Sequence, residues 1–186
     1  IEIAFTMKKS LTDDSDETTV KLKFDGTETV FDVAARLSQQ VRLNKLADTS
    51  NSTDKLARTF LSLPNFVIKF CVGTLKRMDL WNMMPKSVIE ASPFHTSVFL
   101  TNVKSIKLNY LYHHLYEFGT ASIFVAMGRT NLEPVSEGED VVVNKRMFSL
   151  GYTIDERICD GLYLSNSLRI YEKYLRDPSL LEQPLD

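Results

Sequence analysis

The sequence predicts an α/β protein: a mixed β-sheet carrying helices on one face. Three observations lead to that class. Runs with an apolar period of two alternate with runs of period 3.6 along the 186 residues, the pattern of strands interleaved with helices. Short polar or proline-containing breaks separate the runs. The last strand-like run passes through a single polar turn into a strongly amphipathic helix.

In chain order, residues 1–9 alternate from the first position, with Ile1, Ile3, Phe5 and Met7 on one side. The polar run 10–16 turns this strand into a second, residues 18–24. There Val20, Leu22 and Phe24 oppose Thr19, Lys21 and Lys23, which predicts a hairpin with one dry face. Asp25-Gly26 ends it. Thr29, with Asp32 three residues on, reads as a helix N-cap, and Val30, Ala34, Leu37 and Val41 continue at helical spacing to about residue 47. Residues 48–53 form a polar connector. A short helix is expected over 54–62, stopped by Pro64, with Asn65 capping another helix to about residue 80.

Trp81 to Pro85 closes that helical pair. Three strand-like runs follow Ser92-Pro93: residues 95–101, 121–127 and a broken one across 141–154, with the exposed turn 137–140 between the last two. Residues 161–176 then give a helix whose apolar face is Leu162, Leu164, Leu168, Ile170, Tyr171 and Leu175.

Length and composition bound the function. A chain of 186 residues suits one domain, spanning 1–186, with a substantial core. Apolar residues make up 44% and charged ones 25%, an ordinary globular balance. A net charge of −2 without a basic block argues against nucleic acid as the main partner. The longest apolar stretch, 66–84, carries Lys69, Lys76, Arg77 and Asp79, so it reads as a packed or amphipathic helix rather than a membrane span. Cys71 and Cys159 lie inside apolar runs far apart in sequence. They are expected as buried thiols of a cytoplasmic protein, and neither has metal-ligand spacing. No metal site is expected.

The richest stretch is Asp155-Glu156-Arg157-Ile158-Cys159-Asp160-Gly161, followed by the amphipathic run that stops at Asp177-Pro178. It resembles the C-terminal signature of the acyltransferase family that includes chloramphenicol acetyltransferase and the catalytic cores of 2-oxo acid dehydrogenase complexes, which reads roughly D-H-R-x-x-D-G. A second block agrees in order: Val98 to Val103 stands where the dehydrogenase cores read F-T-I-S-x-L, and Ala121 to Gly128 where they read a buried A-I-L-x-x-G strand. The resemblance covers residues 94–182 well and 1–93 loosely. It implies a two-layer chloramphenicol acetyltransferase-like fold, a homotrimer with sites between subunits, and acyl transfer from a thioester to a thiol or hydroxyl. Coenzyme A or lipoamide thioesters would be substrates, with no tightly bound cofactor. The family's opening helix and strand are not found, so the chain is expected to be the C-terminal two-thirds or so of a longer protein.

Residue by residue, the family's signature histidine, the base that deprotonates the acceptor, falls on Glu156. A free glutamate near pKa 4.3 is poorly matched to a thiol near 8.5, although burial can raise a carboxylate. Glu156 therefore reads either as an exchanged base or as half of a solvated pair with Arg157. The family's oxyanion-stabilising serine falls on Thr101, which is otherwise a β-favouring residue ending a strand. Asp160 matches the signature aspartate that positions the turn.

Three further positions are candidates for the substrate channel. Asn102 follows Thr101, and His113 and His114 sit in the aromatic segment Tyr110 to Phe118, which replaces the family's channel-lining segment. Adjacent histidines on an extended chain point to opposite sides, so at most one of the two would face the channel. Either it packs among the aromatics, or it has taken over as base. His95, at a strand start, is expected to point outward. The alternative function is a trimeric binding or scaffold homologue that kept the fold and lost the base.

Overall fold

A computed structural model describes residues 1–8, 12, 15, 17–46, 62–138 and 141–184. The expected helix over 54–62, except for its last residue, the connector 48–53 and most of the 10–16 turn lie outside these residues. Among them the strands are β1 (Glu2–Lys8), β2 (Glu17–Lys23), β3 (Val98–Asn102), β4 (Ile123–Ser136) and β5 (Val142–Ile154). The helices are α1 (Val30–Leu46), α2 (Asn65–Leu80), α3 (Lys86–Ala91) and α4 (Gly161–Arg176). The strands form one sheet in the order β2-β1-β3-β4-β5. β1 pairs with β2, and β4 with β5, antiparallel; β1 with β3, and β3 with β4, parallel. The sheet is mixed, as the alternation of strands and helices required.

Pairing register assigns every side chain to a face. Ile3, Phe5, Val20, Leu22 and Phe24 share one face, and Val33 and Leu37 of α1 pack onto it. Tyr152 lies on the same face, because it pairs with Val125, which pairs with Leu100, which pairs with Phe5. Its ring meets Tyr171 of α4 edge-on at 6.1 Å. Both long helices with an identified partner on the sheet therefore cover one face. The other face carries Ala4, Phe99 and Phe124, a small fully buried cluster on which Leu115 and Tyr116 pack. On that side Lys21, paired with Ala4, donates to the Ile89 carbonyl of α3 at 2.9 Å. The cluster itself is covered by residues 107–120, part of the crossover that any parallel pair such as β3 and β4 needs.

Local chemistry explains the ends of α1 and α4. The Asp32 N–H donates to Thr29 Oγ1 (3.3 Å) and the Thr29 N–H donates to Asp32 Oδ2 (3.0 Å), a reciprocal cap. At α2 the expectation changes. Pro64, not Asn65, occupies the cap position, because its carbonyl already accepts from the Val67 and Ile68 N–H groups. α2 buries none of its residues. α3 is a helix that periodicity over so few residues does not reveal. β4 is longer than expected, running through Gly128 and Pro134 to Ser136. Beyond Met127 its only strand partner among the described residues is β5, and in such a two-stranded arm the outer side of the strand past Arg129 is open, where proline is tolerated. Leu132 and Val142 are exposed on this arm. Cys71 and Cys159 are free, as expected, but half-buried rather than buried.

Candidate functional site

Thr101 is the penultimate residue of β3, on the Phe99 side, paired with Ala126 and half-buried. Asn102, next to it, is exposed, and its carbonyl accepts from the Ser105 hydroxyl at 2.8 Å. The Glu156 turn lies at the opposite end of the sheet. Ile154 pairs with Ile123, and Ile123 with Val98, three residues back along β3 from Thr101. Three residues at ~3.3 Å each and two strand spacings of ~4.8 Å place Thr101 on the order of 14 Å from Ile154, before the turn begins. One chain does not bring Thr101 and Glu156 together.

Within the turn the charges pair differently from the solvated Glu156–Arg157 pair considered from sequence. Arg157 donates from Nε to both oxygens of Asp155 (2.9 Å each) and from Nη2 to Oδ2 (2.5 Å). The guanidinium hydrogen bonds hold the Asp155 carboxyl below the usual carboxylate range and push Arg157 up. Glu156, between them, is exposed and its carboxylate is left to solvent. Asp160 stands outside the first turn of α4 as its N-cap, accepting from the Tyr163 N–H at 2.8 Å.

The aromatic segment forms a strap across the Phe99–Phe124 face. His113 stacks on Phe124 with ring centroids 4.2 Å apart at 9°, and its Nδ1 lies 2.5 Å from the His114 carbonyl. His114 is exposed, with Nδ1 2.9 Å from the Leu115 carbonyl. The two rings stack on each other at 4.6 Å and 20°. This corrects the expectation of opposite sides: the strap is not a strand, so its side chains do not alternate. Tyr116 joins Phe94, Phe99 and Phe124, and burial pushes its phenol up, with a further contribution from the Glu17 carboxylate.

His95 does not point outward. It is 3% exposed, with Nδ1 2.9 Å from Ser92 Oγ and Nε2 2.9 Å from Asp79 Oδ1. Asp79 Oδ2 accepts from the Gly119 N–H at 2.8 Å. Sequence gave no motif here, since the three residues belong to different elements. A cleft of about 450 Å³ opens beside them, bordered by Asp79, His95, Glu117, Gly119 and, from the signature-like turn, Arg157. Among the described residues no group of three or more His, Cys, Asp or Glu side chains could hold a metal, and no helix is long and apolar enough to cross a membrane.

No protein-family profile matches the chain, and no curated protein matches it. Solved structures do. The chain is similar to the dihydrolipoamide acetyltransferase of Azotobacter vinelandii, with a TM-score of 0.56 and 11% identity over 97% of this chain and 56% of that one. For that enzyme a serine, a histidine and an asparagine, the last two four positions apart, have been investigated for their role in the catalytic mechanism. It is also similar to a probable dihydrolipoamide acetyltransferase from Listeria monocytogenes, with a TM-score of 0.50 and 12% identity over 91% and 53%. The cubic core of the pyruvate dehydrogenase multienzyme complex gives a TM-score of 0.56 and 10% identity over 97% and 56%. The chain spans just over half the length of each of these chains. Strand order, mixed pairing and these neighbours agree: the chain has the chloramphenicol acetyltransferase-like α/β fold of the dihydrolipoamide acetyltransferase catalytic domains of 2-oxo acid dehydrogenase complexes.

Proposed function

We propose that the chain is an acyltransferase-like domain that moves an acyl group from a thioester, coenzyme A or lipoamide, to a thiol or hydroxyl acceptor. It works as a homotrimer in the cytoplasm. The observation that carries the reading is the placement of Thr101 and the Glu156 turn at opposite ends of one sheet. A hydroxyl and a candidate base so far apart in one chain can share a substrate only across a subunit boundary. Glu156 and Asp160 are four positions apart, like the histidine and asparagine of the Azotobacter enzyme, and we assign the Thr101 hydroxyl the part of that enzyme's serine.

The chemistry assigned is modest and specific. The Thr101 hydroxyl donates to the oxyanion as the acceptor attacks the thioester carbonyl, Glu156 takes the acceptor's proton once the neighbouring subunit dries its surroundings, and as the C–S bond breaks Glu156 returns that proton to the departing thiolate. Arg157 does not oppose this, because its guanidinium is already held by Asp155. Asp160 fixes the turn from the helix end, and His113, His114 and Asn102 border the acceptor's path. The second reading is a scaffold homologue without turnover; the exposure of Glu156 within one chain favours it.

The deciding assay is thiol release from acetyl-coenzyme A with dihydrolipoamide as acceptor, for wild type, Glu156→Gln, Glu156→His and Thr101→Val, alongside sedimentation equilibrium. A trimer whose activity falls in Glu156→Gln and Thr101→Val supports the transferase. An imidazole near pKa 6.5 is better matched to a thiol, so Glu156→His is expected to raise the rate. Silence in every variant, Glu156→His included, leaves the scaffold reading standing.

A further inference from the structure

The strap over the Phe99–Phe124 face is fastened at both ends, by different means. At its start the Arg129 N–H donates to the Leu108 carbonyl (2.8 Å) and Arg129 Nε donates to Asn109 Oδ1 (3.0 Å). Gly128 and Gly151 admit the strap so closely that a Cβ on either would lie 2.5 Å from its backbone. At its end Gly119 turns with φ +90°, and a Cβ there would lie 2.3 Å from the Phe94 carbonyl oxygen. That turn is held by the Asp79–His95–Ser92 group: Asp79 binds the Gly119 N–H with one oxygen and His95 with the other, and the His95 ring meets Phe118 edge-on at 5.1 Å.

Two features mark Asp79 as more than incidental packing. It sits in the last turn of α2, where the helix dipole disfavours a carboxylate. α2 also has no fully buried residue, its inner side (Val67, Ile68, Cys71, Leu75 and Met78) being half-buried. A partly buried charge at the unfavourable end of a helix is stabilised through partners, and here those partners are His95 and the strap.

We propose that Asp79 and His95 are positioning residues for the strap: their dyad latches its end at Gly119 and thereby sets where His113 and His114 lie. The role of the strap as a channel wall rests on the acyltransferase reading; the latch itself rests on the geometry alone. The competing account is that the Tyr116 aromatic contacts hold the strap without the latch.

Nuclear magnetic resonance on the protein separates these accounts through two signals. One is the exchange rate of the Gly119 amide. The other is the upfield displacement of the His113 ring protons expected from their face-to-face stack on Phe124. In Asp79→Ala the Gly119 amide is expected to exchange at least tenfold faster and the His113 displacement to collapse, while amides in the β1–β3–β4 centre stay protected. Asp79→Asn restores both signals, since its amide oxygen accepts from Gly119 and its amide NH2 donates to His95. If Asp79→Ala does not fold, His95→Gln reads the same two signals. Unchanged signals in Asp79→Ala or, in its place, His95→Gln overturn the proposal. A responsive latch in a protein that never releases thiol leaves the latch standing and removes the transferase instead.

Discussion

Phe124 is the residue on which the strap-covered face depends most. It is 3% exposed, stacks on Phe99 at 5.4 Å and 12°, and receives His113 on its ring at 4.2 Å. Truncating a buried phenylalanine to alanine costs about 3–5 kcal/mol, the transfer term plus the cavity that partial relaxation leaves. Each lost aromatic contact adds ~0.5–1.5 kcal/mol beyond area. The walls here are Phe99, Ala4 and a strap without helical structure, so some collapse from the strap side is expected and the lower half of the sum applies. Phe124→Ala should therefore destabilise by about 4 kcal/mol, a large share of the ~5–15 kcal/mol typical of a domain. At ~2–4 °C per kcal/mol for this size, the melting temperature should fall by roughly 8–16 °C. Phe124→Leu keeps most of the volume and loses the stacking, for about 1–1.5 kcal/mol. The assay is thermal and urea unfolding followed by circular dichroism. A loss below about 1 kcal/mol for Phe124→Ala would refute the claim that this cluster is a packed core and would make the strap a loose cover.

Three further outcomes are expected. Asp160→Ala should cost about 1 kcal/mol in urea unfolding by orphaning the Tyr163 N–H, whereas Asp160→Asn, also a capping residue, should cost less. Gly151→Ala should cost about 1–3 kcal/mol, because its Cβ would stand 2.5 Å from the Leu111 carbonyl oxygen and the strap must retreat; a neutral result would mean the strap yields freely. Hydrogen bonds from Arg157 lower the Asp155 pKa, so the pair's stabilisation is fully present above the ordinary value of ~3.9 and is lost as pH falls through the depressed one. Arg157→Gln should raise the Asp155 carboxyl midpoint in a carbon-13 titration, and an unmoved midpoint would show that the pair does not form in solution.

Much of this was legible in the sequence, and for identifiable reasons. Alternation at Ile3, Phe5, Val20, Leu22 and Phe24 fixed a hairpin with one dry face because strand side chains have period two. Thr29 with Asp32 announced a helix start because caps are local chemistry, whereas Asp160, read from sequence only as the signature aspartate, proved to be the cap of α4. The order of the Thr101 and Asp155–Gly161 blocks pointed to the fold that the solved structures bear out. What stayed hidden was non-local. His95 looked like an outward strand-end residue, because its partners Ser92 and Asp79 lie three and sixteen residues away and only the meeting of α2, the residue after α3 and the start of β3 brings them into reach. The one local hint was Asp79 itself, a carboxylate at the wrong end of a helix.

The length of β4 was hidden for a similar reason: Gly128 and Pro134 read as breaks until the sheet order shows that the strand continues where it has only one neighbour. The sequence by itself determined which residues could form strands, caps and a signature turn, because periodicity and capping act over a few residues. Only the tertiary structure decided that Arg157 holds Asp155 rather than Glu156 and that His113 and His114 stack on the same side. It alone decided that Thr101 and Glu156 stand at opposite ends of the sheet, because pairing register and crossover path set those distances and neither is written in any short stretch of chain.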